Sequence, residues 1–265
     1  MIDENTLESF ANLFKDNRQL EKDYLLNLML KVISLNKISQ SLELKGGTAL
    51  YLFHGLDRFS EELDFSYVGK KMILKIDSLI EPVMHDFSLS YKISKSKGNV
   101  IIRDEKGISG IRSEFFIEGP LFNKTGKRHK IKIDISIRND LLMKPEQAML
   151  VSKYSDIGTI LLYKMPLQEM LAEKLCAILE RAKARDLYDA YFILKYKGLE
   201  YEELIVAKKF EKRGKTFKRE HLLSAINNVS KDLWKEELQY IVPRLPDLSE
   251  VKDFISNKIS ASSNV

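Results

Sequence analysis

One cysteine, six prolines, twelve glycines and four histidines are all that the 265 residues contain of the types that most often staple, interrupt or ligate. A lone thiol, Cys176, forms neither an intrachain disulfide nor a thiolate metal cluster, so packing must hold the fold, and a reducing compartment suits it. Cys176 sits among Leu175, Ala177 and Ile178 and reads as a small packed hydrophobe rather than a nucleophile. His54, His85, His129 and His221 are scattered without ligand spacing, which argues against a zinc site. No apolar run approaches the roughly 20 residues that cross a bilayer. The opening MIDENTLESFANLFKDNRQL carries acids and no uninterrupted apolar stretch, which argues against a signal peptide. The expectation is a cytoplasmic protein with no membrane partner.

What is present is ordinary for a folded globular chain: 44% hydrophobic and 31% charged residues. The length fits one large domain or two of usual size. A net charge of +5 favours phosphate-rich partners, although lysine-rich surfaces also serve solubility alone.

Apolar residues recur at helical spacing from Thr6 to about Leu35, with a break near Asn17. A short strand, Leu42 to Leu44, then runs into Gly46-Gly47 and a helix over Thr48 to Phe53, and a second strand spans Leu63 to Val68. A helix follows over Lys71 to His85. Period-two stretches come next, at Ser88 to Ile93, Asn99 to Arg103, Ile111 to Ile117 and Lys130 to Arg138, so a sheet is expected. In the last of them Ile131, Ile133, Ile135 and Ile137 line one face and Lys132, Asp134, Ser136 and Arg138 the other. A strand-like run at Ile157 to Tyr163 precedes Pro166, which suits the first turn of a helix continuing to about Ala182. Another helix covers Asp186 to Lys197, and the remainder reads as helical with loops near Gly214 and from Pro243 to Pro246. The tail SASSNV reads as frayed.

The expected fold class is therefore α/β (α+β): a mixed β-sheet core with flanking helices and a helical C-terminal half. Residues 1–40 are read as N-terminal helices packing on the core, 41–165 as the α/β core, and 166–265 as a helical domain completing a cleft.

Three features carry chemistry. The Gly46-Gly47-Thr48 turn leaves a strand and opens a helix, where backbone amides can face a phosphate, although a Gly-Gly turn is also simple punctuation. Glu62 and Asp64, two apart on a strand, project from one face, and Asp134 adds a third carboxylate from the polar face of another strand. Hard oxygen donors of this kind suit Mg2+ or Mn2+. Phosphoryl transfer needs a triphosphate neutralised, a hydroxyl activated and pyrophosphate stabilised, and Asp134 is the better candidate to accept the hydroxyl proton. Lys174 and Arg181, seven apart, share one helix face and can reach phosphates, while a lysine there can equally pair with Glu169 or Glu173. Asp186 can serve the site or cap the helix it begins.

The glycine turn, the Arg58-Phe-Ser60 preceding the acidic pair, the helical lysine segment from Glu169 to Arg181 and the Arg185-Asp186-Leu-Tyr-Asp189 motif follow one another in an order that resembles the AbiEii/AbiGii toxin family. That family belongs to the DNA polymerase β-like nucleotidyltransferase superfamily, and the matching blocks run with gaps from about residue 42 to 195. The resemblance implies a nucleotidyltransferase core, a nucleoside triphosphate substrate, a divalent metal, a separately encoded antitoxin and an RNA acceptor, notably tRNA. It implies catalytic roles for Glu62, Asp64, Asp134, Lys174 and Asp186, with Glu62, Asp64 and Asp134 holding metal. Nucleotide contacts are implied for Lys45, Gly46, Gly47, Thr48, Arg58, Ser60, Lys174, Arg181, Arg185 and Asp189. One departure matters: the family usually has Asp where this chain has Glu62, which moves the carboxylate oxygens by more than an ångström in a site type held to roughly 0.5 Å.

Three functions follow for testing: nucleotidyl transfer to RNA, a weak or inactive nucleotide- or RNA-binding member, and transfer to a protein or small-molecule acceptor. Two basic stretches are candidates for RNA contact, Lys124 to Lys132 and Lys208 to Arg219, the second with Phe210 and Phe217 offered for stacking.

Overall fold

Alternation along the strands builds the sheet. In the computed structural model, which describes residues 1–69, 76–96, 99–104 and 107–261, eight strands form one mixed sheet. They are β1 (Leu42–Lys45), β2 (Glu62–Tyr67), β3 (Lys92–Lys95), β4 (Val100–Asp104), β5 (Gly107–Glu118), β6 (His129–Ser136), β7 (Glu146–Val151) and β8 (Thr159–Lys164). The order is β3-β5-β6-β2-β1-β8-β7, with β4 paired to the first half of β5. The β2–β6 and β1–β8 pairs are parallel and the others antiparallel. Ile131, Ile133 and Ile135 are buried on one face of β6, each contributing about 1.5–3 kcal/mol, while Lys132, Asp134 and Ser136 stay half-buried on the other.

The helices are α1 (Glu4–Glu8), α2 (Asn17–Leu35), α3 (Gly46–His54), α4 (Ile76–Ser88) and α5 (Phe122–Thr125), then α6 (Leu167–Arg181), α7 (Ala184–Tyr196), α8 (Glu203–Lys212), α9 (Arg219–Asn227), α10 (Lys231–Leu238) and α11 (Leu248–Ala261). Helix α2 contains no Gly or Pro and starts where the Asp16 carboxylate accepts the Gln19 amide at 2.8 Å. Its buried Glu21 accepts from the Leu121 amide at 2.7 Å and meets the His129 Nε2 at 2.6 Å, which ties it to the β5–β6 connection and to β6.

Two compact units result. Unit 1 comprises residues 1–49, 61–139 and 145–164 and holds the whole sheet; unit 2 comprises residues 50–60, 140–144 and 165–265. Specific polar contacts explain why unit 2 takes two short segments from outside the helical half. The Glu169 carboxylate accepts the Leu142 and Met143 amides at 2.9 and 2.8 Å, and Arg213 pairs with Asp140 at 2.8 Å. Residues 50–60 are held by the Arg58–Asp189 pair, by the Tyr188 hydroxyl donating to Asp57 at 2.6 Å, and by the Phe59 amide donating to the Ile241 carbonyl at 2.9 Å.

Some sequence expectations need correction. The Ser88 to Ile93 strand is instead the end of α4, a turn closed by amides of Ser90 and Tyr91 on the Phe87 carbonyl, and then β3 at Lys92–Lys95. Strand β7 was not anticipated: its apolar Met149 and Val151 face solvent, which hides the usual inward alternation. The expected helix start at Lys71, and the end of the SASSNV tail, lie outside the described residues. No helix among the described residues is long and apolar enough to cross a membrane.

Candidate active site

Strand pairing places the acids. Register sets Lys45 of β1 opposite Asp64 of β2, Asp64 opposite Asp134 of β6, and Asp134 opposite Arg112 of β5, a row of four charged residues across four neighbouring strands. One pleat along, Glu62, Lys132 and Glu114 form the next row on the same face. One carboxylate oxygen from each of Glu62, Asp64 and Asp134 lies within 4.8 Å of the others, the one such group of three or more His, Cys, Asp or Glu side chains among the described residues. Half-buried carboxylates this close repel one another unless a cation sits with them. The donor set, three oxygens and no nitrogen or sulfur, fits a hard divalent cation.

Protein cations also meet these acids. Arg112 grips Asp134 with two bonds, Nε to Oδ1 and Nη2 to Oδ2, both 2.7 Å, and Lys132 donates to Glu62 at 2.6 Å. Burial alone would push the Glu62 carboxyl up; the Lys132 bond and charge, with Arg112 and Lys22, outweigh it and hold the carboxyl below its ordinary value. Lys22, on α2, is buried and senses Glu61, Glu62 and Lys132; burial is the main cause of its lowered pKa.

The glycine turn is built around Asp64. Gly46 has φ +71°, and a Cβ there would sit 2.7 Å from Asp64 Oδ2, so both backbone conformation and the approach of the carboxylate demand glycine. Gly47 and Thr48 are buried, and the Thr48 hydroxyl donates to the Glu62 carbonyl at 2.5 Å, fastening the first turn of α3 to the start of β2.

Unit 2 holds the remaining predicted residues. Arg58 donates through Nε and Nη2 to the two Asp189 oxygens at 2.5 and 2.6 Å. Lys174 reaches Asp189 at 2.7 Å and Asp186 at 3.1 Å, and Arg181 donates twice to Asp186 at 2.8 and 3.0 Å. Lys174 thus pairs with neither Glu169 nor Glu173; those acids serve Lys209, which is fully buried. Asp186 is not a helix cap, since Lys183 occupies that position and the Asp186 carboxylate turns inward. Burial opposes its charge, but Lys174 and Arg181 hold its carboxyl below the ordinary value. Ser60 is buried, and Arg185 is exposed.

Sequence reasoning did not single out Arg112, Lys132 or Lys22. Lys132 shares the polar face of Asp134 and was visible in the alternation; Arg112 becomes a partner only through the β5–β6 register. Cys176 is buried, and its thiol is pushed up to about 12, chiefly by burial. In the first basic stretch Lys124 pairs with Glu8, Arg128 with Glu118, Lys130 with Glu114 and Lys132 with Glu62, and the second is likewise largely committed to structure. Phe210 is buried and packs edge-on against Phe217 at 5.9 Å, so it offers no face to a base, while Lys209, Arg213, Lys215 and Arg219 pair with acids.

The model of the family described as nucleotidyl transferase AbiEii toxin, of the type IV toxin–antitoxin system, matches residues 27–257. The chain belongs to the AbiEii family. Among solved structures, MenT4, a nucleotidyltransferase toxin from Mycobacterium tuberculosis H37Rv, superposes with a TM-score of 0.63 and 15% identity, over 100% of this chain and 91% of that one. JHP933 from Helicobacter pylori superposes with a TM-score of 0.55 and 23% identity, over 92% and 94%. At such identities the likeness is one of fold, and it places this AbiEii chain in a nucleotidyltransferase-toxin architecture. No curated protein matches the chain significantly.

Proposed function

We propose that this AbiEii-family protein transfers a nucleotide from a nucleoside triphosphate to an RNA acceptor, a tRNA, and that Glu62, Asp64 and Asp134 hold Mg2+ (or Mn2+) for that reaction. The observation that carries the reading is the convergence of these three carboxylates on adjacent parallel strands. A divalent ion bound there supplies charge neutralisation for the triphosphate and polarises its oxygens. Asp134 accepts the proton of the attacking hydroxyl, and Arg112 orients that carboxylate through its two bonds. Lys45 and the Gly46-Gly47-Thr48 turn bind the nucleotide. In unit 2, Arg58, Lys174 and Arg181 gather around the carboxylates Asp186 and Asp189. The family resemblance assigns Arg58, Lys174, Arg181, Asp189, Arg185 and Ser60 to nucleotide binding. As a toxin the protein is opposed by a separately encoded antitoxin.

Incubation with labelled nucleoside triphosphate, Mg2+ and total tRNA should give labelled RNA, and Asp64→Asn or Asp134→Asn should lower the rate by about 10²–10⁴-fold. Labelling that survives both substitutions rejects the assignment. The Lys132–Glu62 bond favours a second reading, in which a longer side chain committed to a lysine leaves a binding protein without turnover. In that case the natural protein binds nucleotide without transfer, and Glu62→Asp restores transfer.

A further inference from the structure

An open cavity of about 560 Å3 lies in unit 1, lined by Phe116, Phe122, Gly126 and Arg128. Its volume falls within the range of small-ligand sites, about 300–1,000 Å3. Phe116 and Phe122 are half-buried rather than sealed in the core, unlike the adjacent Phe115, which is fully buried on the other face of β5. Arg128 donates through Nε and Nη2 to Glu118 at 2.9 and 2.6 Å, which restrains the plane of its guanidinium beside the cavity. Gly126 closes α5 with φ +63°, and a Cβ there would meet nothing within 4 Å, so the wall is left open at that point.

The position of this cavity connects it to the acids. Along β5, Arg112, Glu114 and Phe116 alternate on one face, and register pairs them with Asp134, Lys132 and Lys130 of β6. Phe116 therefore projects from the face that carries Asp134, two pleats away. Four residues of strand put it about 13 Å along the sheet from the Arg112–Asp134 row. That distance corresponds to no more than about four stacked nucleotides at about 3.4 Å each. Beside the cavity Lys127 is exposed, while Lys130 pairs with Glu114 at 2.6 Å. Aromatic faces, a restrained guanidinium and an exposed lysine are the combination that holds single-stranded nucleic acid, bases on the π surfaces and phosphates on the cations.

We propose that the Phe116–Phe122–Arg128 cavity is a nucleobase subsite that stacks one base of the acceptor strand, within about four nucleotides of its reacting end. The proposal rests on the RNA-acceptor reading above. It assigns the cavity to the acceptor rather than to the base of the triphosphate because the exposed Lys127 and the restrained Arg128 guanidinium beside it suit a phosphodiester backbone.

Fluorescence anisotropy of the full chain with an eight-nucleotide single-stranded RNA tests it, alongside the same RNA carrying one abasic site at successive positions from the 3′ end. Phe116→Leu and Phe122→Leu keep apolar bulk and remove the flat face, and Arg128→Gln removes the planar cation. Each Phe variant should bind the intact RNA roughly 5- to 150-fold more weakly, the loss expected for one stacked base. One abasic position should reproduce that loss in the wild type and add nothing further in the variants. Triphosphate binding measured in parallel should be unchanged, which also reports that the variants are folded. Variants that bind RNA as the wild type does, or a loss confined to the triphosphate, overturn the subsite while transfer to RNA in the labelling assay still stands. A wild type that neither binds the oligonucleotide nor labels RNA overturns the subsite and the acceptor reading together.

Discussion

Lys174 is a buried ammonium with two carboxylates within 3.1 Å, so its removal acts on the acids it leaves behind. Lys174→Met should destabilise the protein by about 3–5 kcal/mol, because Asp186 and Asp189 would each lose a neutralising partner in a desolvated site; the urea midpoint measures it. The same cluster sets a pH response. The Asp186 carboxyl lies below its ordinary value of 3.8, so its stabilisation is present above that pH and is lost as pH falls through the lower folded value. Burial opposes the Lys174 charge, but Asp189 and Asp186 outweigh it and raise the ammonium above 10.5, so that contribution is present below 10.5 and is lost as pH rises through the higher folded value. Melting temperatures measured across pH should show a plateau bounded by these two limbs. Asp186→Asn should flatten the acid limb; an unchanged acid limb would show that the cluster does not carry it. Residue identity was legible here in the Lys174 to Asp189 motif, but the pairing was not, because Glu169 and Glu173 are nearer to Lys174 in sequence than its true partners.

Among the elements, the β1–α3 turn is the most constrained by chemistry. Gly46→Ala must accept a left-handed backbone, costing about 1–2 kcal/mol, and must also displace the Asp64 carboxylate from 2.7 Å. The expected outcome is a small fall in melting temperature with a disproportionate loss of Mn2+ binding by calorimetric titration, whereas unaltered metal affinity would separate the turn from the site. Strand β6 was readable because its isoleucines face the core and its charges do not. Strand β7 was not, since Met149 and Val151 are exposed. The stretch after Phe87 alternates like a strand, yet the buried Phe87 closes α4 and the backbone turns there.

For the whole molecule, membership of a toxin family turns the site into a physiological prediction. Expression of this protein alone should arrest bacterial growth, and Asp64→Asn should abolish the arrest, with colony counts as the readout. Equal toxicity of both proteins would detach the carboxylates from the effect. The family model spans residues of both units, while the acid row belongs to unit 1 and the Lys174 cluster to unit 2.

Local covalent geometry made part of this legible in one dimension. Glu62 and Asp64 share a face because strand side chains alternate, and the apolar period of β6 turns Asp134 away from the core. Asp64 lying beside Asp134, Arg112 gripping that acid and Phe116 opening a cavity on the same face all depend on register between strands far apart in the chain. Register is set by how whole faces bury against the core, so only the tertiary structure decides it. The same holds for Phe210, whose burial removed it from the surface that its basic neighbours suggested.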